Sequence, residues 1–171
     1  MFRFLFPRLT GSAGRGAALF GAVAAEARRP GWYRDGGLPD TVDGRFAVLA
    51  TLLALTMLEL ERRADGLDDA SVAVVERFVE AMDAEHRQMG LSDPALGKRV
   101  RKLVSALAAR LDQMRTASEG GEIEAAISIS LYGDGAAVDA ASQRTAFGMI
   151  RAFAANLDRS SDSALVAGQW E

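Results

Sequence analysis

Cysteine is missing altogether, and histidine occurs once, at position 86. The first absence excludes a disulfide framework, thiolate zinc sites and a cysteine nucleophile, and it fits a reducing, cytosol-like compartment. The second leaves any Ser-His-Asp relay or histidine-rich metal site dependent on a single imidazole. Charge of one sign is scarce as well. Lys and Arg number 20 against 23 Asp and Glu, a net charge of −3, so global nucleic-acid affinity is not expected and DNA is not an expected partner. Long apolar runs are also lacking. The longest uncharged run inside an expected helix, residues 46–58, falls well short of the roughly 20 apolar residues that span a bilayer.

What is present is apolar content: 49% of 171 residues, enough to close one ordinary core. No repeat, low-complexity block or Pro-rich linker divides the chain, so its helices should share that core. Residues 17–29 have high helix propensity and stop at Pro30-Gly31. Residues 32–40 hold Gly36, Gly37 and Pro39 and read as a loop, yet one carrying Trp32 and Tyr33, which loops seldom leave unpacked. Asp40 or Thr41 caps the next helix, which runs to about Ala64; its apolar residues cover nearly the whole circumference, as expected of a helix surrounded by others. A third helix begins at Asp68 or Asp69, places Val72, Val75, Phe78, Val79, Met82, His86 and Met89 on one arc, and ends at Gly90. Ser92-Asp93-Pro94 starts a fourth that runs to about Ser118. Residues 122–132 alternate like a strand at 127–131, but a lone strand has no partner, so a helix is expected. A last helix covers residues 136–158. The reading is an all-α, single-domain bundle of about six helices around a central apolar helix at about 42–64. A flexible segment at 1–16 precedes it and a mobile tail at 160–171 follows.

Candidate chemistry is thin. Lys98, Arg99, Arg101 and Lys102 spread over one side of the fourth helix, opposite Leu96, Val100, Leu103, Val104, Leu107, Leu111 and Met114. Such a row is either a solvated face or a docking surface for anionic lipid, RNA or an acidic protein. His86 sits in an apolar arc without an identifiable second ligand and reads as a packed histidine. The carboxylates at 65, 68, 69, 76, 80, 83 and 85 lack the Glu-x-x-His spacing of helical di-iron sites. No catalytic residue, cofactor or metal is expected. The Phe-rich start, with Arg3, Arg8 and Arg15 before the first acid at Glu26, has the composition of a transit peptide, but residues 17–29 already read as a domain helix, so a native bacterial N-terminus is preferred.

The run Ala27-Arg28-Arg29-Pro30-Gly31-Trp32-Tyr33, followed by Gly37-Leu38-Pro39-Asp40-Thr41-Val42-Asp43-Gly44-Arg45-Phe46, resembles the ubiquinol-cytochrome c chaperone family. A second block is similar: Met82-Asp83, then Arg87-Gln88-Met89-Gly90-Leu91-Ser92-Asp93, then Gly97-Lys98-Arg99-Val100-Arg101-Lys102-Leu103. Leu131-Tyr132-Gly133 is a fainter echo. Ala81 departs from an acidic position of the family pattern, and His86 from one often apolar. The resemblance implies an all-helical, non-enzymatic assembly chaperone for the cytochrome b subunit of respiratory complex III, acting at the ribosome or an anionic membrane surface. That places it in the cytoplasm or peripherally on the inner face of a bacterial inner membrane. It also implies a partner-binding surface drawn from Trp32, Tyr33, Asp40, Arg45, Met82, His86, Met89, Lys98, Arg99, Arg101 and Lys102. Two other classes remain open: a small-ligand protein with a pocket near His86 and Tyr33 or Tyr132, and a membrane-surface adaptor.

Overall fold

The structure, a computed structural model, describes residues 14, 16–63, 67–88 and 93–170, the side chains of 85–88 and 93–96 excepted. Among these residues every regular element is a helix. In order they are α1 (Ala17–Ala27), α2 (Gly31–Arg34), α3 (Val42–Arg62), α4 (Asp68–Gln88), α5 (Asp93–Gly120), α6 (Ile123–Tyr132), α7 (Ala140–Arg159) and α8 (Asp162–Val166).

α3 is the centre of the bundle. Its start is fixed by Thr41, which has an extended backbone and whose side-chain oxygen accepts the Gly44 amide at 3.2 Å, while Asp43 sits in the first turn where the helix dipole favours it. The entering chain folds back so tightly that a Cβ on Gly44 would collide with the Pro39 carbonyl oxygen. Every residue from Ala50 to Leu55 is buried, as an all-round apolar helix requires, and α1, α4, α5, α6 and α7 pack against it. α3 and α5 run parallel: Arg99 lies near Asp43 at one end and Arg115 bonds Glu61 at the other, with α4 making the return. α5 buries Val100, Leu103, Leu107, Leu111 and Met114 on one stripe, and α4 buries Ala73, Val74, Phe78 and Met82.

The all-α expectation holds, and α6 is helical as read. Ala126, Ile127, Ser130 and Leu131 turn inward at helical spacing, which leaves Ile129 39% exposed and accounts for the strand-like alternation. Ser130 Oγ meets Thr51 Oγ1 at 2.6 Å in the buried α3–α6 seam.

Four expectations change. α1 ends at Ala27 rather than Arg29. The 32–40 loop begins with the helical turn α2, because Trp32 Nε1 donates to the Glu26 carbonyl at 2.9 Å and Tyr33 Oη to that of Ala27 at 2.6 Å. Tyr33 thereby satisfies the orphan Ala27 carbonyl, and Trp32 adds a second donor to that of Glu26, which already accepts the Arg29 amide. α7 starts at Ala140 instead of 136, since Asp139 takes the amides of Ala141 and Ser142 on its side chain. The segment from Ser160, expected to be mobile, carries α8. Ser161 caps it, Leu165 is fully buried, and Trp170 meets Phe153 edge-on at 5.7 Å.

Arg63, just past α3, anchors this end of the molecule. Its guanidinium donates to the carbonyls of Leu157 (2.6 Å), Asp158 (3.1 Å) and Ser160 (2.7 Å), and to Asp162 at 2.8 Å. Glu59 holds it from behind at 2.6 Å. One side chain at the C-cap of α3 therefore satisfies the last carbonyls of α7 and ties down the start of α8. The expected breaks at Asp65-Gly66 and Gly90, and most of the segment 1–16, lie outside the described residues.

Candidate partner-binding surface

The two blocks of sequence that carry the family resemblance meet in space. Arg99 on α5 approaches Asp43 on α3 at 3.8 Å, bringing the first turn of α3 beside the cationic turn of α5. Lys98, Arg101 and Lys102, on the same turn of α5, are exposed and meet no carboxylate among the described residues. Val42, at 53%, is the most exposed of the large apolar side chains described, and it follows directly on the capping Thr41. Asp40 and Arg45 form an exposed ion pair at 2.6 Å, and the Arg45 guanidinium lies 5.9 Å from the centroid of the Tyr33 ring. The side chain of Arg45 holds the Asp40 carboxyl below its ordinary pKa by hydrogen bonding.

Other candidates are not at this surface. Trp32 is fully enclosed and Met82 is 8% exposed, so neither offers a face to a partner; both are core residues. Tyr33 is half-buried, with its hydroxyl committed to Ala27 and its pKa raised chiefly by burial. Tyr132 donates to the Gly36 carbonyl at 2.7 Å, tying the loop before α3 to α6; burial, reinforced by nearby Asp139, pushes its pKa up to about 12. Both tyrosine hydroxyls thus spend their proton on a backbone carbonyl. The side chain of His86 and all of Met89 lie outside the described residues. No cluster of His, Asp or Glu suited to a metal ion occurs among the described residues, and no described helix is long and apolar enough to cross a membrane.

Sequence reasoning missed Arg110. It lies on the buried side of α5, 5.4 Å from the centroid of Phe46, with weak bonds to the carbonyls of Ala106 (3.1 Å) and Ser130 (3.5 Å). Its Nε is buried without a partner, and burial lowers its pKa. Only its spacing foreshadows this: eleven positions after Arg99, three helical turns, it returns to the side of α5 that faces α3.

Three comparisons bear on identity. No curated protein matches the sequence. The fold is that of the crystal structure of the Cbp3 homolog from Brucella abortus, with a TM-score of 0.72 and 22% identity over 100% of this chain and 97% of that one. A family model described as "Ubiquinol-cytochrome C chaperone" matches residues 34–171. That span takes in α3 through α8 and both faces of the surface just described, and the chain accordingly belongs to the ubiquinol-cytochrome c chaperone family.

Proposed function

We propose that the protein is a non-enzymatic chaperone that binds the cytochrome b subunit while ubiquinol-cytochrome c reductase is assembled, using the surface where α3 begins beside α5. Family membership supplies the complex and the chaperone role. The observation that supports the site is the approach of Arg99 to Asp43, which sets the first turn of α3, with its exposed Val42, beside the turn of α5 that also carries Lys98, Arg101 and Lys102. A membrane subunit emerging at a bilayer surface presents apolar segments flanked by anionic headgroups and charged loops, which this pairing complements. Trp32, Tyr33, Asp40 and Arg45 serve by holding the chain before α3 in place. The protein would work from the inner face of the bacterial inner membrane without crossing it.

Reversing Lys98, Arg99, Arg101 and Lys102 to glutamate should abolish co-purification of cytochrome b from cells and leave the helical circular-dichroism signal unchanged, since these side chains lie outside the core. Retained co-purification would remove the cationic turn from the mechanism. Normal assembly of ubiquinol-cytochrome c reductase in cells lacking the protein would remove the function itself.

A further inference from the structure

α6 and α7 follow one another in the chain yet do not pack closely together along their lengths. Between them runs an open groove of about 520 Å³. Its apolar floor includes Ile129 and Phe147, and Ile129 is one of few large apolar side chains left substantially exposed. The helices are bridged only lightly: Gln143 Nε2 donates to Ser128 Oγ at 3.2 Å, and Arg151 reaches Glu124 at 3.5 Å with both side chains well over half exposed (64% and 71%). Arg144 meets no carboxylate among the described residues. Arg144, Phe147 and Arg151 stand at i, i+3 and i+7, so α7 offers one stripe on which an aromatic ring is flanked by two weakly engaged guanidiniums.

The shape and charge of this stripe select an occupant. A channel between two splayed helices, apolar below and cationic along one wall, complements a third helix with apolar residues on one face and carboxylates beside them. Residues 1–13 of the chain itself carry Phe2, Phe4 and Phe6, but Arg3 and Arg8 would bring like charge to Arg144 and Arg151. We propose that the groove between α6 and α7 docks an acidic amphipathic helix of a partner protein, which covers Ile129 and Phe147 and pairs with Arg144 and Arg151 in place of Glu124. The site is independent of the cationic turn of α5, and it stands or falls without reference to cytochrome b.

The test uses the full chain and two fluorescein-labelled, alanine-based helical peptides of about 15 residues. Both carry leucines one turn apart; one has glutamates beside the leucines, the other lysines. The glutamate peptide should show saturable binding by fluorescence anisotropy, at least about tenfold tighter than the lysine peptide. Arg144→Glu/Arg151→Glu should weaken it by at least about tenfold. Both arginines are exposed, so the variant should melt as the parent does; Arg144→Gln/Arg151→Gln, which adds no negative charge, should lie between the two. Equal binding of both peptides, absence of saturable binding, or glutamate-peptide binding unchanged in the double variant would each overturn the proposal. So would concentration-dependent self-association in sedimentation that the double variant abolishes, because the occupant would then be a second copy of the chain.

Discussion

Replacing Arg63 with alanine should cost the protein about 3 kcal/mol. The guanidinium is 10% exposed and Glu59 12%, so the bonds among Arg63, Glu59 and the carbonyls of Leu157 and Ser160 are largely shielded from water. Charge-assisted bonds of this kind contribute roughly 1.5–3 kcal/mol each, and the cost of taking the guanidinium and the Glu59 carboxylate out of water offsets part of this, leaving about 3 for the three together. The contact with Asp162, whose side chain is 66% exposed, adds little. In a domain of this size the melting temperature should fall by about 6–12 °C, followed by circular dichroism at neutral pH. Arg63→Lys should recover less than half of the loss, because an ammonium cannot reach three carbonyls and a carboxylate from one plane. The effect should also depend on pH. Burial pushes the Glu59 carboxyl up, but hydrogen bonds from Arg62 and Arg63 more than offset this, so its pKa lies below the ordinary 4.5. A group depressed on folding stabilises above its unfolded pKa and loses that contribution as pH falls through the folded one. The parent's margin over Arg63→Ala should therefore shrink, by about the third that Glu59 supplies, on acidification below about pH 4.5, while the share from the two carbonyl bonds persists. An alanine variant that melts within about 2 °C of the parent, or full rescue by lysine, would refute the reasoning.

Arg110 should behave in the opposite sense: Arg110→Met keeps the packing on Phe46 and removes a poorly satisfied buried cation, so thermal melts should show equal or higher stability, and a loss above about 1 kcal/mol would contradict this. Thr51 donates to the Ala47 carbonyl at 2.7 Å while sharing a 2.6 Å bond with Ser130, so Thr51→Val and Ser130→Ala should be coupled. A double-mutant cycle from urea titrations should return roughly 1 kcal/mol of interaction, and strict additivity would show that the bond contributes nothing.

The long helices were legible because their apolar spacing is sustained over many turns, and α3 stood out as central because no face of it is polar. Short elements were not. α2 lies just ahead of Gly36, Gly37 and Pro39, residues that signal a loop, and its helical turn depends on where the carbonyls of Glu26 and Ala27 point. α8 spans five residues, too few for a period, and only the cap at Ser161 and the late Leu165 and Trp170 mark it. At the candidate site, the exposed cations of α5 follow from the wheel alone, whereas their approach to Asp43 requires α3 and α5 to run parallel, which no local pattern encodes. Trp32 illustrates the reverse problem: an aromatic in a glycine-rich segment reads equally as an anchor inward or a contact outward, and only the acceptor at Glu26 decides. Arg63 closes the end of α3 and Arg110 lies along α5, yet one is fully bonded and the other is not, a difference made largely by the elements opposite.

The first and last helices touch. Gly168 takes a left-handed backbone (φ 64°) and lies so close to α1 that a Cβ there would stand 2.5 Å from the Ala18 carbonyl oxygen. Helical proteins ordinarily open by fraying from their ends, the cheapest of their local motions. Here α1 and α8 pack on each other, so neither can peel away without breaking that contact. The contact joins Ala18 and Gly168, residues far apart in sequence, so it cannot form until α8 has been synthesised. The seam between α1 and α8 is therefore among the last parts of the described fold to close.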